Sequence, residues 1–134
     1  SEKGKLQFTD VTVDQGEERV NRVVCAVDCG MVVNPNTVEA QIQGGIIFAI
    51  TAALYSEITI DRGRVQQSNF TDYRILRINE TPTIDVHIVK SSEAPGGIGE
   101  PGTAAAQPAI ANALYAATGK RLRQLPVGNQ LMNA

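Results

Sequence analysis

The stretch VEAQIQGGIIFAITAALY, residues 38–55, constrains the fold more than any other part of the chain. Its apolar residues keep a 3.6-residue spacing, and from Gly45 onward nearly every side is apolar, so we expect a central helix covered on several sides. Asn36, with Glu39 three residues later, resembles a capping box and predicts the helix start. Gly44 and Gly45 each cost about 1 kcal/mol relative to alanine inside a helix. Another backbone, or a ligand, is therefore expected to come close there.

Strand patterns surround this helix. Residues 6–13 alternate between apolar and polar, and residues 20–27 are more continuously apolar, which predicts a more buried second strand. After the helix, a short hairpin is predicted around Asp61-Arg62-Gly63, and residues 84–89 alternate again as a half-exposed strand.

A second helix is predicted near the C-terminus, beginning near Thr103 or at Pro108 and ending at Gly119. The tail, residues 126–134, is expected to be loosely ordered. The resulting order, β-β-α-β-β-β-α, predicts a single α+β domain over residues 1–134, with a mostly antiparallel sheet packed against two helices.

Composition excludes several classes of function. The 134 residues are 43% hydrophobic and 19% charged, which is typical of one globular domain. A net charge of −2 argues against a non-specific nucleic-acid surface. No uninterrupted apolar run reaches the roughly 18 residues of a membrane span, so none is expected. Cys25 and Cys29 fall about 13 Å apart on a strand, too far for a disulfide, and we expect buried thiols.

The loop APGGIGEPG holds one acid, Glu100, in a run of glycines and prolines that precedes the second helix. It lacks the G-x-x-x-x-G-K-[ST] pattern of a phosphate loop, and Gly97-Ile98-Gly99 supplies only half of a dinucleotide fingerprint. The loop can still bring its amides close to a ligand, and Pro101 biases residue 100 toward extended geometry. The alternative is a solvated glutamate near a helix N-terminus.

Gln41 is the second polar candidate, on the first turns of the apolar helix and close to its two glycines. Its amide suits the hydrogen-bonding edge of a cofactor, although an ordinary surface glutamine is equally compatible with the pattern. His87 is expected to face solvent, and Asp28 to form a turn. The residues by themselves therefore indicate an α+β domain with one glycine-rich acidic loop, and no more.

Three segments carry a family likeness: VVCAVDCGMVVNPNTVEAQIQGG, GRVQQSNFTDYRILRINETPTIDVHIV and PGGIGEPGTAAAQPAIANALYAATGKRLRQLPV. Together they cover about residues 20–127. In this order they closely resemble the C-terminal part of the molybdenum-binding large subunit of the xanthine oxidase and aldehyde oxidase family. The likeness is greatest to isoquinoline 1-oxidoreductase beta subunits.

The resemblance implies roles for particular residues. Glu100 corresponds to the catalytic base beside the molybdenum, and Gln41 to the glutamine that bonds to the molybdenum-pterin. Four glycines correspond to positions where the backbone lies close to the cofactor: Gly44, Gly45, Gly97 and Gly99. No residue of this chain is expected to be a metal ligand.

The resemblance also implies a cofactor, partners and a reaction. The cofactor would be molybdopterin cytosine dinucleotide, and the partners the remainder of the large subunit and a small subunit with two [2Fe–2S] clusters. The substrate would be an N-heteroaromatic such as isoquinoline, or an aldehyde, with the oxygen derived from water. We expect the chain to be a C-terminal fragment of the molybdopterin-binding domain, inactive and cofactor-poor by itself, that self-associates through apolar patches. The alternative is a non-catalytic binding or assembly module that keeps the fold.

Overall fold

The computed structural model describes residues 4–132. Its elements follow the predicted order β-β-α-β-β-β-α. They are β1 (Lys5–Asp14), β2 (Glu17–Val27), α1 (Pro35–Leu54), β3 (Ile60–Asp61), β4 (Arg64–Val65), β5 (Thr83–Ile88) and α2 (Pro101–Thr118). Two short 3-10 turns, Ile78–Glu80 and Gly128–Leu131, complete the described chain.

The main sheet has the strand order β1-β2-β5. β1 pairs antiparallel with β2, placing Phe8 opposite Val24, whereas β5 pairs parallel with β2, placing Val86 opposite Cys25. The small hairpin of β3 and β4 forms a separate antiparallel pair, as predicted. The α+β class and the two helices are confirmed, and the main sheet is mixed, with one antiparallel and one parallel pair.

Both helices pack on one face of the sheet, α2 across β1 and α1 against α2. The core lies between these layers and includes Val23, Cys25 and Val27 from β2, Ile42, Ile46 and Ile50 from α1, and Ala106, Ile110 and Leu114 from α2. Cys25 and Cys29 are both buried thiols, as predicted. His87 is exposed, also as predicted.

α1 is less enclosed than its composition suggests. Phe48, in the middle of the helix, has 72% of its surface exposed, so within the described residues α1 is covered mainly on its inner side. By length and composition, α1 is also apolar enough to cross a membrane, a property that the core helix of a globular protein shares. Its inward residues, from Ile42 to Leu54, are buried against the sheet and α2.

Both predicted helix starts need correction. α1 is capped by Asn34, whose side-chain oxygen accepts a hydrogen bond from the amide of Thr37 at 3.3 Å, and not by Asn36, which lies inside the first turn. α2 begins at Pro101, ahead of Thr103, and Pro108 lies inside the helix. Proline suits the first turn of a helix because an N–H at that position would have no intrahelical partner. Pro101 begins α2 in this way, as Pro35 begins α1.

α2 ends in a glycine cap, and residues 126–132 pack against the end of α1. α2 ends at Thr118, and Gly119 after it has a φ of 74° and forms the predicted left-handed cap. The expectation of a loose tail is wrong for residues 126–132. Val127 and Leu131 are buried, and the Val127 amide donates to the carbonyl of Ala53 at 2.8 Å, so this segment covers the end of α1. Residues 133–134 lie outside the described residues.

Several large apolar side chains lie on the surface of the described chain. Val33, Phe70 and Ile78 are each more than 90% exposed. We therefore expect the 134-residue chain to form dimers or larger assemblies, because association removes this apolar surface from water. Size-exclusion chromatography with light scattering measures the mass, and replacing both Phe70 and Ile78 with serine should shift it toward the monomer. A monomeric mass for the unmodified chain over a wide concentration range would contradict this prediction.

Candidate functional site

The loop that carries Glu100 is fastened to α1 on both sides of that residue. Before it, the Gln41 Nε2 donates a hydrogen bond to the carbonyl oxygen of Gly99 at 2.7 Å. After it, the Thr103 Oγ1 donates to the carbonyl oxygen of Gly45 at 3.1 Å. We call residues 99–103 the clamped segment. The structure thus brings together two candidates, Gln41 and the Glu100 loop, that lie 59 positions apart in the sequence.

α1 and α2 come closest at Gly102. A Cβ atom at this position would lie 2.8 Å from the carbonyl oxygen of Ile42, nearer than side-chain carbons come to a backbone oxygen. Across from it, a Cβ at Gly45 would lie 3.2 Å from the Thr103 hydroxyl. The predicted close approach of another backbone is therefore confirmed at Gly45, where it is made by the first turn of α2.

Three of the candidate glycines face open space instead. Apart from its chain neighbours and, for Gly44, the backbone of its own helix, a Cβ at Gly44, Gly97 or Gly99 would have no described atom within 4 Å, and none of the three has a positive φ. The predicted close approach at Gly44 is thus not made by any described residue. The described fold supplies no steric reason for glycine at these positions, and a side chain at any of them would project into free space beside the clamped segment.

Glu100 itself combines a fixed backbone with an unattached side chain. Its carbonyl oxygen accepts hydrogen bonds from the amides of Thr103 at 3.0 Å and Ala104 at 3.3 Å, which begin the helix. These bonds draw its backbone into the helical region, with φ −114° and ψ −7°, so the extended geometry expected before Pro101 is wrong. The carboxylate is exposed and makes no hydrogen bond to the described residues. It can therefore reach a group outside the described chain.

A cleft of about 280 Å³ lies beside the loop. Its lining includes Asp28, Cys29, Gly97, Ile98 and Pro101. The Asp28 carboxylate accepts a hydrogen bond from the Gly30 amide at 3.0 Å, which confirms Asp28 as a turn former. Within residues 4–132, no cluster of three His, Cys, Asp or Glu side chains could hold a metal ion.

A larger cavity, of about 580 Å³, lies at the other end of α1. Tyr55 and Glu18 line it, and so does Arg74, whose guanidinium stacks 3.8 Å above the Tyr55 ring and pairs with Glu80 at 2.6 Å. Tyr55 follows Gln41 by 14 residues, which places the cavity about 20 Å along the helix from the clamped segment. The cavity is therefore separate from the Glu100 loop, although it is the larger of the two.

Burial in the wall of this cavity raises the pKa of Glu18, and the nearby charge of Arg74 only partly opposes the effect. A raised folded-state pKa means that the charged carboxylate destabilises the fold at neutral pH, and that this penalty disappears as the pH falls below the unfolded value of about 4.3.

We expect Glu18→Gln to raise the urea midpoint at pH 7 and to have no effect near pH 4. Exposed Glu57→Gln is the control and should change neither midpoint. A lower midpoint for Glu18→Gln at pH 7 would contradict the assignment.

Comparison with known proteins decides the family. A family model for the molybdopterin cofactor-binding domain matches residues 5–82, more than half of the chain. The chain belongs to the molybdopterin cofactor-binding domain family. The matched region contains Gln41 and the two glycines of α1, and ends before the clamped segment.

Relatives of this family extend the likeness over the rest of the chain. The isoquinoline 1-oxidoreductase subunit beta of Brevundimonas diminuta is 44% identical over 108 residues, which are 81% of this chain and 14% of that subunit. The aldehyde oxidoreductase of Desulfovibrio desulfuricans matches 97% of this chain and 15% of its own, with a TM-score of 0.85 and 29% identity. The quinoline 2-oxidoreductase of Pseudomonas putida 86 matches 92% of this chain and 17% of its own, with a TM-score of 0.84 and 26% identity.

These comparisons confirm the resemblance to xanthine oxidase family molybdenum subunits, and the fold. The matched part of the chain spans 14% of the length of the isoquinoline 1-oxidoreductase subunit beta, which is about one-seventh.

Three residues in or beside the clamped segment were not predicted as site residues. Gly102 and Thr103 lie next to Glu100, and Gln7 of β1 donates from its Nε2 to the carbonyl oxygen of Gly102 at 3.1 Å. Gly102 carried no signal in the sequence, because the predicted start of the second helix, near Thr103 or at Pro108, left it outside the helix. Gln7 carried none either, because the apolar residues Leu6 and Phe8 on each side of it place it on the polar face of the predicted strand.

Proposed function

We propose that this chain forms part of the large subunit of a molybdenum hydroxylase that oxidises N-heteroaromatics such as isoquinoline. The observation that carries the proposal is the hydrogen bond from Gln41 to the carbonyl of Gly99, which joins the candidate cofactor-binding amide to the loop of the candidate base. The identity to the isoquinoline 1-oxidoreductase subunit beta supports the substrate class. The proposed partners are the remainder of the large subunit and a small subunit with [2Fe–2S] clusters that receives the electrons.

The residues around the clamped segment suit a bound molybdopterin, which we propose to be the cytosine dinucleotide form. The open positions at Gly44, Gly97 and Gly99 leave room for a group to lie against the backbone, which a side chain would obstruct. Gln41 and the three open glycines are the residues that would contact it.

The cofactor, when bound, supplies the two-electron redox chemistry and uses oxygen derived from water. The chain supplies a proton acceptor at the Glu100 carboxylate, with no competing hydrogen bond from the described residues. Gln41 and Thr103 fix the backbone on either side, which sets the point from which the Glu100 side chain extends. General-base assistance of this kind is worth about 10²–10⁴-fold in rate.

A second candidate substrate class is aldehydes. The fold likeness to the aldehyde oxidoreductase of Desulfovibrio desulfuricans, with a TM-score of 0.85, supports aldehydes as much as the likeness to the quinoline 2-oxidoreductase, with a TM-score of 0.84, supports heteroaromatics. The same base and the same clamp would serve either substrate, because the proton acceptor belongs to this chain and the substrate pocket to the rest of the subunit. The non-catalytic module is the third reading, and it predicts no turnover with either class.

The test uses the complete enzyme and the 134-residue chain side by side. We expect the complete enzyme to contain stoichiometric molybdenum and to reduce a dye with isoquinoline or with an aldehyde, whereas the chain alone binds little molybdenum and reduces no dye. Preference between the two substrate classes separates the first two candidates. A molybdenum-loaded complete enzyme that oxidises neither class would support the module, and turnover by the chain alone would contradict the need for the remaining subunit.

A further inference from the structure

Gln7 forms a third attachment of the clamped segment, from a different element. Its side chain leaves β1 on the face that packs against α2, and its Nε2 donates to the carbonyl oxygen of Gly102 at 3.1 Å. The same nitrogen lies 3.6 Å from the Sγ of Cys25. The amide oxygen, Oε1, is buried and has no hydrogen-bond partner among the described residues.

An amide in this state contributes little to folding. A buried polar atom without a partner loses its hydrogen bonds to water and gains none in return. The hydrogen bond that Gln7 donates therefore only offsets the cost of burying its Oε1 without a partner among the described residues, a cost that an apolar side chain of the same length would not have. We therefore attribute to this bond an effect on the position of the first turn of α2, and little added stability.

The three attachments differ in direction. Gln41 and Thr103 both connect the clamped segment to α1. Gln7 connects the segment to the sheet, on the other side of α2. With all three bonds formed, the position of the Glu100 backbone is defined relative to both layers of the fold.

We propose that Gln7 is a positioning residue that sets the direction of the Glu100 carboxylate by fixing the first turn of α2 to the sheet. The inference rests on the proposed function, in which Glu100 accepts the proton. It assigns to Gln7 of β1, far from the loop in sequence, an effect on the reaction rate that acts through Glu100, and only a minor effect on stability.

The experiment compares Gln7→Met, which keeps the length of the side chain and removes the donor, with Thr9→Val. Thr9 is the matched control: it lies two residues along the same face of β1, and its buried hydroxyl also lacks a partner among the described residues. In the complete enzyme, we expect Gln7→Met to lower kcat by about tenfold with KM within about twofold, because a misplaced base slows the reaction without weakening substrate binding. Thr9→Val should leave both constants unchanged.

Two further readouts do not depend on turnover. In the 134-residue chain, amide hydrogen exchange at Thr103 and Ala104 should be faster in Gln7→Met than in the unmodified chain, while the unfolding midpoint is the same or higher. In the complete enzyme, molybdenum content should be unchanged. Gln7→Leu, which also lacks the donor, should repeat the result if Gln7→Met folds poorly.

Unchanged kcat and unchanged exchange in both Gln7 variants would overturn the inference. A parallel loss of kcat, molybdenum and thermal midpoint would overturn it too, since that pattern shows a structural role. Glu100→Gln in the same enzyme separates the two proposals. If Glu100→Gln abolishes turnover while Gln7→Met does not lower it, only the role of Gln7 fails. If Glu100→Gln leaves turnover intact, the proposed function fails.

Discussion

Replacing Glu100 with glutamine in the complete, molybdenum-loaded enzyme is expected to lower kcat by about 10²–10⁴-fold, the usual contribution of a general base. Glutamine has nearly the same shape as glutamate but cannot accept the proton. The Glu100 carboxylate makes no hydrogen bond to the described residues, so its replacement disrupts no described contact. Molybdenum content and thermal midpoint should therefore stay the same, and a steady-state dye assay measures the loss.

Glu93→Gln is the matched control for this experiment. Glu93 is an exposed acid seven residues earlier, in the segment that leads into the same loop. The same loss of one negative charge at position 93 should leave kcat unchanged, which separates a local proton acceptor from a general effect of surface charge. Full turnover in Glu100→Gln with the cofactor bound would show that the proton goes elsewhere.

The largest expected effect on stability is that of Gly102→Ala. The new Cβ would meet the carbonyl oxygen of Ile42 at 2.8 Å and its Cα at 3.4 Å, and both belong to the backbone of α1, which cannot turn aside as a flexible side chain can. The two helices must then move apart, which costs about 1–3 kcal/mol of unfolding free energy, as overpacking does elsewhere. Urea unfolding of the 134-residue chain measures the change.

Gly44→Ala provides the opposite case in the neighbouring helix. Position 44 lies inside α1, and outside the backbone of that helix no described atom lies within 4 Å of the new Cβ. Alanine should therefore stabilise the chain by about 0.8–1 kcal/mol, the difference in helix propensity. Equal and small effects of the two substitutions would mean that α1 and α2 do not approach each other at Gly102 as closely as described.

The order of the elements was predictable because each one is coded by local periodicity. The 3.6-residue spacing of α1 and the alternation of β1 and β5 depend only on neighbouring residues. The parallel pairing of β5 with β2 joins segments about 60 residues apart, and nothing local in either strand distinguishes a parallel from an antiparallel partner. The predicted starts of α2, near Thr103 or at Pro108, lay too late, because Pro101 suits the first turn as well as Pro108 does and two amides donate to the carbonyl of Glu100 just before it.

The candidate site was predictable only in part. Local pattern marked the Glu100 loop and the Gly44-Gly45 pair as unusual, but it left Gln41 and Glu100 open between a functional and an ordinary role. Only the family resemblance connected them. The bond from Gln41 to Gly99 and the contact at Gly102 are products of tertiary packing, and no spacing within either segment indicates them. Gln7, 95 residues before Gly102, is the most distant contributor.

The central claim is that the clamped segment holds the Glu100 carboxylate toward the molybdenum. A crystal structure of the complete, cofactor-loaded enzyme tests it most directly, through the position of that carboxylate relative to the metal. We predict a carboxylate within hydrogen-bonding reach of the metal's own ligands, with the Gln41 and Thr103 bonds intact. A carboxylate on the outer surface of the complete subunit, remote from molybdenum, would contradict the claim.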